Sequence, residues 1–263
     1  MTQNLIQYLL HLADNPLILA QRNSAWCGHG PVLEQDIAIT NITLDLIGQA
    51  RNFYQYAAQT INGSKLPTSP GAESENEVNE DSLAYLRDNR DFKNCLLVEQ
   101  TNGDWGKTIL RQFFFSNYQH LLYQRLQLSA DEQVSAIAAK SLKEVVYHLR
   151  WSSEWVIRLG DGTEESHGRM MNAIEELWPC VEELFVPADY ELELLKENIS
   201  ADPSSFKNEW MQRTTEVFSE ATLRVPEKTF AQKGGKQGIH TEELGYILAE
   251  MQFLQRAYPN LTW

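Results

Sequence analysis

The stretch Glu34 to Tyr56, EQDIAITNITLDLIGQARNFYQY, constrains this chain more than any other. Apolar residues at Ile37, Ile39, Ile42, Leu44, Leu46, Ile47, Ala50 and Phe53 fall on almost every side of a helix. Such a helix belongs at the centre of a bundle, wrapped by others. Asn41, Asp45, Gln49 and Asn52 recur at steps of three or four, which stacks them on one stripe. Polar groups inside a buried helix need partners, and the nature of those partners decides the function.

With 263 residues and 43% apolar content there is material for one large core, and a single domain over 1–263 is expected. The formal net charge of −14 argues against nucleic acid, which requires a basic surface. Cys27, Cys95 and Cys180 lie far apart with no CxxC, which suggests neither a disulfide framework nor a zinc site and fits a reducing cytoplasm. The first residues, MTQNLIQYLLHLADN, lack the basic lead of a signal peptide, and no stretch approaches the length of a membrane span.

Periodicity and punctuation predict an all-α protein. A first helix runs from about Asn4 to Ala13, breaks at Asp14-Asn15-Pro16 and resumes near Leu17. A second opens at Pro31 and reaches about Thr60. The segment 62–81 is rich in Gly, Pro, Ser and Glu, and is expected to be a mobile surface loop. Short helices follow around Ser82 to Leu86 and Asp91 to Glu99. Asp104 then caps a helix from Trp105 to Leu128, and Asp131 begins another that stops at Gly160-Asp161-Gly162. A fifth is expected from His167 to Phe185 with a kink at Pro179, then a small segment near Tyr190 to Glu197, a helix from Pro203 to Glu220 and a last one from Thr241 to Tyr258. The long helices imply an up-down bundle with additional C-terminal helices.

Bundles of this size can house two irons, using one Glu from each of two helices and a Glu-x-x-His from each of the other two. Three residues before His11, His29, His120, His148 and His240 stand Tyr8, Trp26, Asn117, Val145 and Gln237, none acidic. Only His167 has a Glu there, Glu164, in a loop-like GDGTEESH context. Glu144 and His148 lie four apart with Ser141 and Ser152 on the same stripe. They are either an altered metal site or, as favoured, a buried hydrogen-bond network joined to Asn41, Asp45 and Gln49. Two basic segments are further candidates. Gln232 to Gly238, with Lys233 and Lys236, and Arg87 to Asn94, with Arg90 and Lys93, could each hold a phosphate or could each be a solvated connector or turn. Trp151, Trp155 and Trp178 are most simply core.

The stretches NSAWCGHGPVLEQDIAITNITLDLIGQARNF, DFKNCLLVEQTNGDWGKTILRQFF, KSLKEVVYHLRW and KGGKQGIHTEELGYILAEMQFLQRAYP resemble the C subunits of the bacterial ring-1,2-phenylacetyl-CoA epoxidases, over essentially the whole chain. The resemblance implies a ferritin-like bundle related to the catalytic, di-iron A subunit of those enzymes but without a working iron site. Leu46 and Gln49 stand where a Glu-x-x-His would be, and Val145 takes a carboxylate place. It further implies a cytoplasmic, non-catalytic partner that binds and supports the A subunit, together with the other epoxidase subunits, in aerobic phenylacetate catabolism. No cofactor is then expected in this chain, the di-iron centre residing in the A subunit. Contact with phenylacetyl-CoA is expected from Arg90, Asp91, Phe92, Lys93 and Asn94, with Lys233 and Lys236 as the fallback. The competing expectation is an oxygenase or oxidase in its own right, with an altered metal site at Asp45, Glu144 and His148.

Overall fold

The computed structural model describes residues 2–64, 77–227, 230–259 and 261. Eleven α-helices and no strand occur among them: α1 (Thr2–Ser24), α2 (Leu33–Ser64), α3 (Glu80–Tyr85), α4 (Leu96–Glu99), α5 (Trp105–Leu126), α6 (Glu132–Gly160), α7 (Glu164–Leu177), α8 (Asp189–Leu195), α9 (Lys207–Glu220), α10 (Glu242–Met251) and α11 (Phe253–Ala257). The all-α expectation holds. Two antiparallel pairs, α1 with α2 and α5 with α6, form the bundle, and α2 meets α6 across it. α7 and α9 pack on the α5–α6 pair, while α8 and α10 pack on α1.

Local chemistry sets the ends of the long helices. The Asp104 carboxylate accepts from Lys107 N at 2.9 Å, starting α5, and Asp131 accepts from Gln133 N and Val134 N at 3.0 Å, starting α6. α6 stops at Gly160, where a Cβ would stand 2.4 Å from the Ala221 carbonyl oxygen, so only glycine fits the crossing. Ordinary punctuation marks these ends correctly.

Elsewhere tertiary contacts override it. α1 does not break at Asp14-Asn15-Pro16; it is continuous, with Pro16 inside. An interior proline costs about 3 kcal/mol, and here Asp14 and Asn15 are buried and bound to the chain around residues 87–95, which holds the turn in place. The expected fifth helix instead starts at Glu164 on a Thr163 cap and gives way at Trp178 to 3-10 turns over 178–180 and 182–185. The 91–99 helix shrinks to α4, preceded by a 3-10 turn at 89–91. The C-terminal helix is divided between α10 and α11. Of the expected loop at 62–81, residues 65–76 lie outside the described residues; at its base Asn62 bonds both the N–H and the carbonyl of Val78.

The expectation that α2 is wrapped on all sides needs correction. Ile39, Ile42, Leu46 and Phe53 are fully buried, but Leu33 is 71%, Leu44 61% and Ile37 52% exposed. These three share one stripe of α2 that none of the chain's described helices covers.

Candidate functional site

The polar stripe of α2 meets that of α6 at the middle of the bundle. His148 Nε2 lies 3.0 Å from Asp45 Oδ2, and Gln49 Nε2 donates to Glu144 Oε2 at 2.9 Å. α5 adds a third side: Gln119 Nε2 donates to Gln49 Oε1 at 2.9 Å and reaches the Tyr123 hydroxyl at 3.0 Å. Gln49, Gln119, Tyr123 and His148 are buried, Glu144 is half-buried, and Asp45 keeps 39% of its side chain open to water. The expected network therefore exists in part. Asn41 is exposed and stands outside it, on the open side of α2 with Ile37 and Leu44. Gln119 and Tyr123 join it without having been expected, although the run Arg111-Gln112 and Ser116-Asn117 with Gln119 inside an apolar helix is the signal that could have found them.

Two features fix the chemistry of this centre. Leu46 and Val145, both fully buried, place hydrocarbon beside it. His148 Nδ1 is buried with no partner, so Nε2, facing Asp45, is the one ring nitrogen held here. A di-iron centre needs several carboxylates to balance the metal charge. Here the Glu144 carboxylate is engaged by a neutral amide and the Asp45 carboxylate by the imidazole. Among the described residues no group of three or more His, Cys, Asp or Glu side chains could hold a metal ion. The donor set does not fit two irons. Glu164 and His167 lie on the first turn of α7, with Glu164 exposed and His167 Nδ1 2.8 Å from the Gly160 carbonyl oxygen.

The two basic segments are brought together, but as backbone packed on backbone. A Cβ on Gly235 would stand 2.3 Å from Asn94 O, and one on Gly238 2.2 Å from Arg90 O. Phe92, Asn94 and Lys236 are buried, contrary to the expectation of a ligand-facing surface. Lys236 Nζ donates to Glu191 at 2.9 Å, Asn94 Nδ2 donates to Glu99 at 2.9 Å, and Phe92 lies beneath the Arg87 guanidinium. Arg90, Asp91 and Lys233 remain exposed and Lys93 half-buried.

What the segments do build is a buried ionic clasp. Glu99, fully buried, accepts from Asn94, His240 Nδ1, Thr241 N and Thr241 Oγ1, all within 2.9 Å. His240 Nε2 lies 3.0 Å from the Phe92 carbonyl oxygen, so both ring nitrogens face acceptors and only the imidazolium satisfies both. Burial pulls the His240 pKa down, but the Glu99 hydrogen bond and charge outweigh it and hold it above the ordinary value. Glu183 accepts from Leu96 N, Gly234 N and Gly235 N, each at 2.7 Å. Burial nevertheless pushes its carboxyl upward. Asp14 pairs with Arg87 and Tyr54 and accepts from Lys93 N. Nearby, Arg111 is fully buried with amides and a carbonyl as partners, and burial together with Arg22 draws its pKa down to about 9.

A helical bundle with polar stripes meeting at its middle is the class of protein in hand, and the chain belongs to the phenylacetic acid catabolic protein family, which it matches over residues 1–263. The fold is accordingly a ferritin-like bundle. Within that family it is similar to the C subunit of the 1,2-phenylacetyl-CoA epoxidase of Escherichia coli (strain K12). The two are 46% identical over 259 residues, covering 98% of this chain and 99% of the other.

Proposed function

We propose that this chain is a non-catalytic partner subunit of a multicomponent phenylacetyl-CoA epoxidase, binding and supporting the catalytic di-iron A subunit in phenylacetate catabolism in the cytoplasm. The observation that carries the reading is the Gln49–Glu144 bond flanked by Leu46 and Val145: amide and hydrocarbon occupy places where a metal requires charge. The near full-length similarity to the C subunit of an epoxidase supports it. The chain holds no cofactor of its own in this reading. Its residues act by packing, and the redox chemistry belongs to the partner.

Elemental analysis of the purified chain after iron loading tests this: less than stoichiometric iron is expected. Tightly held iron lost on Glu144→Ala would favour the second reading, an oxygenase or oxidase with its own site. That reading draws on the open Asp45 carboxylate beside His148. Contact with the coenzyme falls in this reading to Arg90, Lys93 and Lys233, which have no ion pair among the described residues. Lys93→Glu in the reconstituted complex is then expected to weaken phenylacetyl-CoA binding and reduce its salt dependence, measured by calorimetric titration.

A further inference from the structure

Charge is distributed unevenly over the long helices. Arg22 of α1, Arg51 of α2, and Lys107 and Arg125 of α5 each hold a carboxylate. On α6 none of Lys140, Lys143, Arg150 and Arg158 does, although the chain carries 36 acidic residues against 22 basic ones. All four are exposed. With Tyr147 they follow steps of three, four and multiples of seven or eight, which lays them on a single outer stripe of α6. Glu132 and Glu154 are the acids on that stripe, against four cations, leaving it net basic on an acidic protein.

A row of solvated lysines alone would mean little. This row borders hydrocarbon. Tyr147 is 38% and Val146 50% exposed, and the Asp45–His148 bond holds this part of α6 against α2. Gln35–Trp151, Asp45–His148, Gln49–Glu144 and Tyr56–Asp131 set the two helices side by side and antiparallel. At about 100° per residue the Leu33–Ile37–Leu44 stripe and the basic row turn the same way from that contact, so the outer surface of the α2–α6 pair is apolar on the α2 side and basic on the α6 side. A second copy packed two-fold across α6 would set cation against cation. The complementary surface is of another kind.

We infer that the outer face of α2 and α6 docks the catalytic partner subunit, through a surface of that protein that is apolar where it meets Leu33, Ile37 and Leu44 and acidic where it meets Lys140, Lys143 and Arg150. The inference rests on the partner-subunit reading and specifies the chemistry of its contact. Opposite charge along the α6 side sets register and speeds encounter, while the α2 stripe supplies the area removed from water.

The test is calorimetric titration, at low and high salt, of the purified chain with the purified catalytic oxygenase subunit. Lys140→Glu/Lys143→Glu/Arg150→Glu is compared with Arg169→Glu/Lys196→Glu/Lys207→Glu, which shifts net charge equally on other faces. The α6 variant is expected to bind at least about tenfold more weakly, with a flatter salt response, and the control to match wild type. Lys140→Gln/Lys143→Gln/Arg150→Gln, the mildest change to exposed positions, is expected to show a smaller loss in the same direction and decides the matter should the reversal fail to fold. Equal affinity and salt response in the α6 variants and wild type would overturn the inference while leaving the partner reading intact. Absence of binding by wild type would remove the partner reading itself, and this inference with it.

Discussion

The middle of the bundle and the C-terminal clasp are both buried and polar, yet they use opposite means. At the middle, a row of neutral groups, Tyr123, Gln119 and Gln49, ends on one carboxylate, and a second carboxylate stays partly open to water beside a histidine with one bare nitrogen. In the clasp, Glu99, Glu183 and Glu191 are almost completely enclosed, matched by Lys236, His240 and backbone N–H groups. Di-iron bundles gather carboxylates at their middle; here the fully enclosed carboxylates lie in the clasp. Its buried charge serves instead to fasten residues 234–241 against residues 92–99, where full satisfaction by hydrogen bonds makes enclosed ions tolerable.

The largest expected effect follows from breaking the clasp on one side. Glu191→Ala strands Lys236, which is 1% exposed, and should cost about 3–5 kcal/mol in chemical denaturation. Adding Lys236→Met should recover much of that loss; no recovery would show that the pair is not the cause.

Next in size is the proton on His240. Because its pKa is raised on folding, its contribution is fully present below the unfolded value near ~6.5 and fades as pH rises through the folded one. His240→Gln should therefore lower the melting temperature more at mildly acidic than at alkaline pH, with a difference of about 1–2 kcal/mol. A pH-independent gap between the two proteins would exclude an imidazolium there.

In the bundle centre, Gln49→Ala removes a donor from Glu144 and an acceptor from Gln119, and should cost about 1–3 kcal/mol. Asp45→Ala should cost the least, about 1 kcal/mol, because the Asp45 carboxylate is already partly hydrated although His148 loses its partner. Should Asp45→Ala prove costlier than Gln49→Ala in thermal melts, the contrast between an open and a closed side of this centre would fail.

The bundle is legible in the sequence because its cues are local. Asp104 and Asp131 cap where they should, and the four-residue steps of Asp45 with Gln49 and Glu144 with His148 do share faces. Gln119 is less legible: Gln112, Ser116, Gln119 and Tyr123 recur at steps of three and four, but α5 is buried on almost every side and aromatics flank the row, so it does not stand out against a dry face. The clasp escapes for a different reason. RDNRDFKN and QKGGKQG look solvated by composition, and nothing in either segment announces that Glu99, Glu183 and Glu191 enclose part of the other. Pro16 misleads in the same way: the side chains that keep α1 continuous past it bond to residues some 80 positions away.

Those separations bear on how the molecule is made as well as on what holds it. The α1–α2 pair can meet early, across a short connection, whereas His240 reaches Glu99 over 141 residues and Phe92 over 148. Contacts of such range form after local ones have shortened the loop between them. His240 must also arrive carrying its second proton, since both of its nitrogens are met by acceptors. The final phase of refolding is therefore expected to slow as pH rises above the ordinary histidine range while the earlier helix-forming phases do not, a separation that stopped-flow circular dichroism and tryptophan fluorescence resolve.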